Sequence, residues 1–208
     1  DYTGVADAPV PRAYDAVFSQ EQGRYHILMD DLSETHVTAR NRTPTMGYGR
    51  ALAEGLGVMH AHWWGRNRLA EINEAVPDAQ AIQRFADMGR FGAGLIIAAC
   101  ADELKPHWPG LMHRIYETHP RLMVQRTQED TGFTLVHGDV NRNNILIPLN
   151  GDRPLYLIDR QPFNWSLTAW LGVYDLAYAM VLYWDIERRR ELEIPVLQHY
   201  HNCLVRQG

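Results

Sequence analysis

Leu135-Val136-His137-Gly138-Asp139-Val140-Asn141-Arg142-Asn143-Asn144-Ile145-Leu146-Ile147 sets a polar loop between two apolar runs. The runs, Phe133 to Val136 and Ile145 to Ile147, read as short strands. A further run, Leu155 to Ile158, follows the turn-forming Asn150-Gly151-Asp152 and ends on a second carboxylate, Asp159. Two acids and an amide therefore meet on one side of a strand-loop-strand platform. Such oxygen donors suit Mg²⁺, which keeps open positions for phosphate, and a carboxylate beside it can polarise a hydroxyl.

Outside this platform the chain reads as mainly helical, which makes the fold class α+β. Between Met46 and Trp64, Leu52, Leu56, Met59 and Trp63 recur at helical spacing until Gly65. Gly47, Gly55 and Gly57 each cost this helix about 1 kcal/mol relative to alanine, so packing must hold it. A second helical region starts at an Asp78 cap and runs to Leu104, with a break expected near Gly89 to Gly94. A third, from Pro106 to Gln128, should face Leu111, Ile115 and Leu122 inward and break at Pro120. After an irregular passage from Gln161 to Thr168, a nearly fully buried helix is expected from Trp170 to Trp184, with Asp175 inside it. A charged helix start at Glu187 then leads to an amphipathic run ending near Leu204, with a kink at Pro195. Near the N-terminus, Arg24 to Met29 alternates like a hairpin or edge strand and runs into Asp30-Asp31.

Composition bounds the function. A chain of 208 residues with 46% apolar content can bury a proper core, and its net charge of −5 argues against a general nucleic-acid binder. No run approaches the roughly eighteen apolar residues of a membrane span; the nearest, Ala93 to Cys100, is far too short. Two distant cysteines, Cys100 and Cys203, make neither a disulfide framework nor a cysteine zinc site, so a reducing cytoplasm is the expected setting.

The spacing His137-x-Asp139-x-x-x-x-Asn144 arises by chance only about 0.03 times in a chain of this composition, and the flanking strands sharpen it further. A polar turn satisfying its own backbone is the bland alternative. A hydrolytic metal site built from His137, Asp139 and Asp159 is a second, which lacks another nearby histidine. His60 and His62, two apart on one helix, read as core or surface histidines. Trp63-Trp64 and Trp165 to Trp170 read as core packing before an acceptor pocket. Asp185, Glu187, Glu191 and Glu193 read as a solvated helix start.

Taken with Leu157-Ile158-Asp159 and Tyr174-Asp175-Leu176-Ala177, the loop resembles the phosphotransferase core of the aminoglycoside-phosphotransferase and choline-kinase-like families, structural relatives of the protein kinases. Ile158-Asp159-Arg160-Gln161 is similar to the Asp-aromatic-Gln signature of the ecdysteroid-kinase-like branch, and Val58 to Trp64 to its Leu-His-Ala helix. Arg160 departs from the usual aromatic residue. The resemblance implies an ATP-dependent transfer of the γ-phosphate to a hydroxyl of a small molecule, with ATP and Mg²⁺ as cofactors. It implies Asp139 as catalytic base, His137 as a brace of the loop, and Asn144 and Asp159 as metal ligands. Backbone groups at Asp30 and Leu32 would meet the adenine. Asp175 would support the catalytic loop, although an acid in the first turn of a helix is favoured by the helix dipole in any case.

On this resemblance residues 1–32 are the end of a small lobe and its hinge, and residues 33–208 a helical large lobe with its catalytic segment at 135–161. Nothing before Asp30 supplies a Gly-rich phosphate loop or the strand lysine that pairs nucleotide phosphates, so most of the small lobe is missing from the chain. A fragment of a longer kinase is the expected reading, and a non-catalytic pseudokinase-like binding module is the alternative.

Overall fold

The computed structural model describes residues 2, 4–5, 7–19, 21–129, 131–150, 153–160 and 168–207. The turn expected at Gly151-Asp152, most of the passage from Gln161 to Thr168, and Trp165 lie outside them. An antiparallel hairpin opens the chain, β1 (Ala13–Ser19) and β2 (Arg24–Met29). Its apolar side chains, Phe18, Tyr25, Ile27 and Leu28 among them, are exposed. The strand β3 (His36–Thr38) leads to helix α1 (Met46–His62) and the short α2 (Arg66–Ala70). The long helices α3 (Ala79–Ala99) and α4 (Trp108–Glu129) follow. Then come β4 (Phe133–Leu135), β5 (Ile145–Pro148), β6 (Tyr156–Leu157) and β7 (Ala169–Leu171), and the chain closes with α5 (Val173–Tyr183) and α6 (Ile186–Gln207).

Helix α1 begins where Thr45 accepts a hydrogen bond from the Tyr48 N–H at 3.2 Å, which satisfies one donor of the open first turn. Leu52, Leu56 and Met59 are buried as their spacing predicts. The glycines are explained by close approach. A Cβ on Gly57 would lie 2.6 Å from the Cβ of Cys203 on α6, and one on Gly49 would lie 2.6 Å from Val196. Side chains of α6 therefore press against the α1 backbone along a seam that only glycine allows, and packing offsets the poor propensity.

Several expectations are corrected. Helix α3 starts at the Asp78 cap, whose Oδ1 accepts from the Ala81 N–H at 2.7 Å, but it runs unbroken through Gly89 to Gly94. Gly89 instead makes room for the ring of Tyr116 on α4. Helix α4 passes through Pro120 and α6 through Pro195 without ending, since each proline forfeits one backbone bond within a helix of 22 residues. Leu111, Ile115 and Leu122 do not face inward; they are 41, 48 and 50% exposed. Helix α4 packs chiefly on α3 and buries Met123, so apolar spacing along it marks a face with no described partner. Trp170 belongs to β7 and not to the following helix, and α5 is buried on one side only, through Asp175, Leu176, Ala179 and Met180.

Two buried clusters organise the fold. One joins Leu52, Leu56, Ile145, Leu157, Leu176, Val196 and their neighbours between α1, α5 and α6. The other gathers Trp63, Leu69, Ile82, Phe133, Leu135 and Trp170. Strand β4 sits in the second cluster and β5 in the first. The loop between them is pinned at one end by Val136 and at the other by Val140, both fully buried and one in each cluster. Its position is therefore fixed by two cores at once.

Candidate active site

Strand β4 pairs antiparallel with β7, and the Val136 N–H continues that ladder to the Thr168 carbonyl at 2.9 Å. Strand β5 pairs with β6 and β3. The loop between β4 and β5 turns at Gly138, whose φ of +82° favours glycine. Asp175, the third residue of α5, is fully buried, and its carboxylate accepts from the N–H groups of His137 at 2.6 Å and Gly138 at 2.9 Å. A position in the first turn and a grip on the loop are thus both true of it.

His60 completes this support. Its Nε2 lies 3.1 Å from Asp175 Oδ2 and its Nδ1 lies 2.8 Å from the Tyr200 hydroxyl. A carboxylate only accepts, so Nε2 carries the proton and the Tyr200 O–H donates to Nδ1. Burial and then the Asp175 charge raise the Tyr200 phenol well above its ordinary value, which keeps that donor protonated. Gly172 leaves the space for this chain, because a Cβ there would come within 2.7 Å of the Tyr200 oxygen. His60 was read from sequence as an ordinary core or surface histidine, and it is buried with a role.

Asp139 is half-buried, and three neutral donors reach its carboxylate. The Tyr178 hydroxyl donates to Oδ1 at 3.0 Å, and the Asn141 and Asn144 amides donate to Oδ2 at 2.9 and 3.2 Å. They orient the charge without cancelling it. A carboxylate has about four lone-pair positions, so capacity is left for a further hydroxyl. Burial, followed by hydrogen bonding to Tyr183 and Asp139, raises the Tyr178 phenol and fixes it as a donor. Tyr178 was missed in the sequence, although it follows Asp175 by three residues on one helix and so shares its face.

His137 sits between the two halves of the platform. Its Nε2 lies 2.9 Å from the Ile158 carbonyl, and its Nδ1 accepts from the Asp139 N–H at 3.3 Å. The Asn144 carbonyl accepts from the Ile158 N–H at 3.0 Å, which brings Asn144 beside the residue preceding Asp159. The Asn144 amide nitrogen is committed to Asp139, so its side-chain oxygen is the atom it can offer to a cation. Asp159 is exposed and adopts φ of +62°, a conformation open mainly to glycine, asparagine and aspartate. Both residues offer oxygen donors, which would suit Mg²⁺ and would not select a soft metal. Arg160 turns back and its Nε donates to the Val136 carbonyl at 3.0 Å, tying the chain just after Asp159 to the end of β4. Gln161 lies outside the described residues.

Burial, opposed but not reversed by the Asp175 charge and the Ile158 carbonyl, holds the His137 imidazole below its ordinary value. The unfolded side chain titrates near about 6.5, so below that pH the unfolded chain binds the proton that the native chain refuses. Stability therefore falls as pH drops through about 6.5 towards the lower native value. His62 and His119 are held low by burial as well and share the slope. Urea midpoints measured from about pH 7.5 to about pH 5.5 are expected to decline less steeply in His137→Gln than in the parent. An unchanged slope would count against a buried neutral His137.

A solvent-open recess beside the loop is lined by Arg40, Asn141, Arg142, Asn143 and Tyr183. The Arg142 guanidinium lies 5.6 Å over the Tyr183 ring, which in turn packs on Tyr178. Trp63 and Trp170 are core residues and Trp64 is partly exposed. Among the described residues, no helix is long and apolar enough to cross a membrane.

This architecture is a partial kinase-like fold. A solved glucosamine kinase aligns with a TM-score of 0.60 at 11% identity, over 99% of this chain and 56% of that one. The same enzyme in complex with glucosamine, ADP and inorganic phosphate gives 0.60 at 12% identity, over 96% and 53%. A Plasmodium vivax ethanolamine kinase gives 0.50 at 15% identity, over 98% and 58%. This chain thus spans just over half the length of these structures. No curated protein sequence matches it significantly. The chain belongs to the ecdysteroid kinase-like family, whose model matches residues 4–207.

Proposed function

We propose that this chain carries the catalytic half of an ATP-dependent small-molecule O-phosphotransferase. The observation that carries the reading is the Asp139 carboxylate, set by Tyr178, Asn141 and Asn144 on a loop that Asp175 grips from beneath. Asp139 would accept a hydrogen bond from the acceptor hydroxyl, orient its oxygen for in-line attack and take its proton as the bond to phosphorus forms. His137 holds the loop against Ile158, which follows β6 and precedes Asp159. Asn144 and Asp159 would hold Mg²⁺, which when bound neutralises charge on the nucleotide phosphates. Family membership supports the reading, as does the ADP in the glucosamine kinase complex.

Residues 1–32 are read as the end of the small lobe with its hinge, and residues 33–208 as the large lobe. Asp30 gives its N–H to the Arg12 carbonyl, and the Leu32 carbonyl accepts from Thr35 and His36. A base would therefore meet the Asp30 carbonyl and the Leu32 N–H, an acceptor and a donor two residues apart. We place the acceptor in the recess by Arg142 and Tyr183, and the reaction in a reducing, cytoplasmic setting that suits two free thiols.

The test is turnover of MgATP by the natural full-length polypeptide against a panel of sugars, amino alcohols and sterol-like alcohols, read as ADP and phosphorylated product. Mg²⁺-dependent product is expected, with Asp159→Ala reducing it to background. Absence of both turnover and MgATP binding by calorimetry would reject the reading in favour of a binding module.

A further inference from the structure

Away from the catalytic loop, α1 and α6 bring three different metal-ligating side chains to one point. Glu54 Oε2 lies 2.7 Å from His199 Nε2 and 3.1 Å from Cys203 Sγ. All three ligand atoms lie within 4.8 Å of one another. We propose that Glu54, His199 and Cys203 form a site for zinc or a similar divalent transition metal, completed by water, that clamps α6 to α1.

The spacing is suited to the task. His199 and Cys203 are four apart on α6 and so project from one face, while Glu54 reaches across from α1. Ligand atoms around a tetrahedral zinc stand about 3.4 Å apart, so Glu54 Oε2 must draw back from His199 Nε2 by about 0.7 Å and from Cys203 Sγ by less. A nitrogen, a sulfur and an oxygen donor select zinc or cobalt over magnesium and calcium. The sulfur is fixed in place: Cys203 is fully buried with its Cβ pressed on Gly57. The other two side chains remain partly exposed, at 30% for His199 and 39% for Glu54, which leaves access for the ion and room for a water ligand.

Arg206 contacts the other oxygen of Glu54. That is the outer partner a ligating carboxylate commonly has, since it orients the free oxygen toward the metal. Without a metal, the Cys203 thiol donates its proton to Glu54 Oε2 at 3.1 Å. Binding would therefore form the metal–sulfur bond while releasing the thiol proton to solvent.

The test is a Co²⁺ titration of the chelator-treated chain, read by absorption. A thiolate-to-cobalt band saturating at one ion per chain is expected, displaced by Zn²⁺ and not by Mg²⁺. Cys203→Ser should abolish the band and Cys100→Ser should leave it. Glu54→Gln and His199→Ala should weaken Co²⁺ binding about tenfold or more, and they decide the matter should Cys203→Ser fail to fold. No band in the parent chain, a band surviving in Cys203→Ser, or parental affinity in both Glu54→Gln and His199→Ala would overturn the proposal.

Discussion

An Asp139→Ala chain is expected to lose between about 10² and about 10⁴ of its phosphoryl-transfer rate, the range a positioned general base contributes. The loss should fall on turnover and leave MgATP affinity largely intact, because Asp139 is assigned to the acceptor hydroxyl and not to the nucleotide. Two of its three donors, on the half-buried Asn141 and Tyr178, can turn to water, and the buried Asn144 amide keeps its bond to the Asp139 backbone carbonyl, so the fold should survive. Single-turnover rates, nucleotide affinity and thermal melting of the natural full-length polypeptide separate these effects. Parental turnover in a folded Asp139→Ala protein would remove Asp139 from the chemistry. Tyr178→Phe provides an internal comparison, since it deletes one of three donors and should cost much less than the carboxylate itself.

Asp175→Ala should have the largest effect on stability. It leaves the N–H groups of His137 and Gly138 without their acceptor in a buried place, at about 1–3 kcal/mol each, and strands the His60 N–H as well. A loss of about 3–5 kcal/mol is expected, comparable to breaking a buried charged pair from one side. That is a large share of the stability of a domain of this size. Asp175→Asn keeps the volume and one acceptor oxygen, so it should be milder in urea denaturation while still loosening the loop. If Asp175→Ala denatured at the parental urea concentration, the buried carboxylate could not be what holds the loop.

The loop from His137 to Asn144 was legible in the sequence because its order is local. His137, Asp139 and Asn144 lie within eight residues, and the runs flanking them have the length and branching of strands. Helix α1 was legible through its period and α3 through its Asp78 cap. What escaped notice depends on distant partners. Strand β7 is three residues long and exists because β4 pairs with it. The outward apolar face of α4 looks inward on spacing alone, since periodicity shows that a helix has a face and not what covers it. Pro120 looked like a break because local rules omit the tertiary contacts that carry a helix past a missing hydrogen bond. The segment holding His60 resembled the Leu-His-Ala helix, but nothing local pointed to Tyr200 as its partner: the two are joined only through the fold, across α1 and α6.

That last pairing also orders events in time. Tyr200 and His60 stand 140 residues apart, and the loop they support lies between them in the chain. During synthesis the loop and Asp175 leave the ribosome while the residue that locks the His60 ring is still to come. A contact of such long sequence separation forms late and slowly. The loop should thus reach its final order only after α6 has docked, so a nascent chain stalled before Tyr200 would carry every residue of the loop and lack its finished shape.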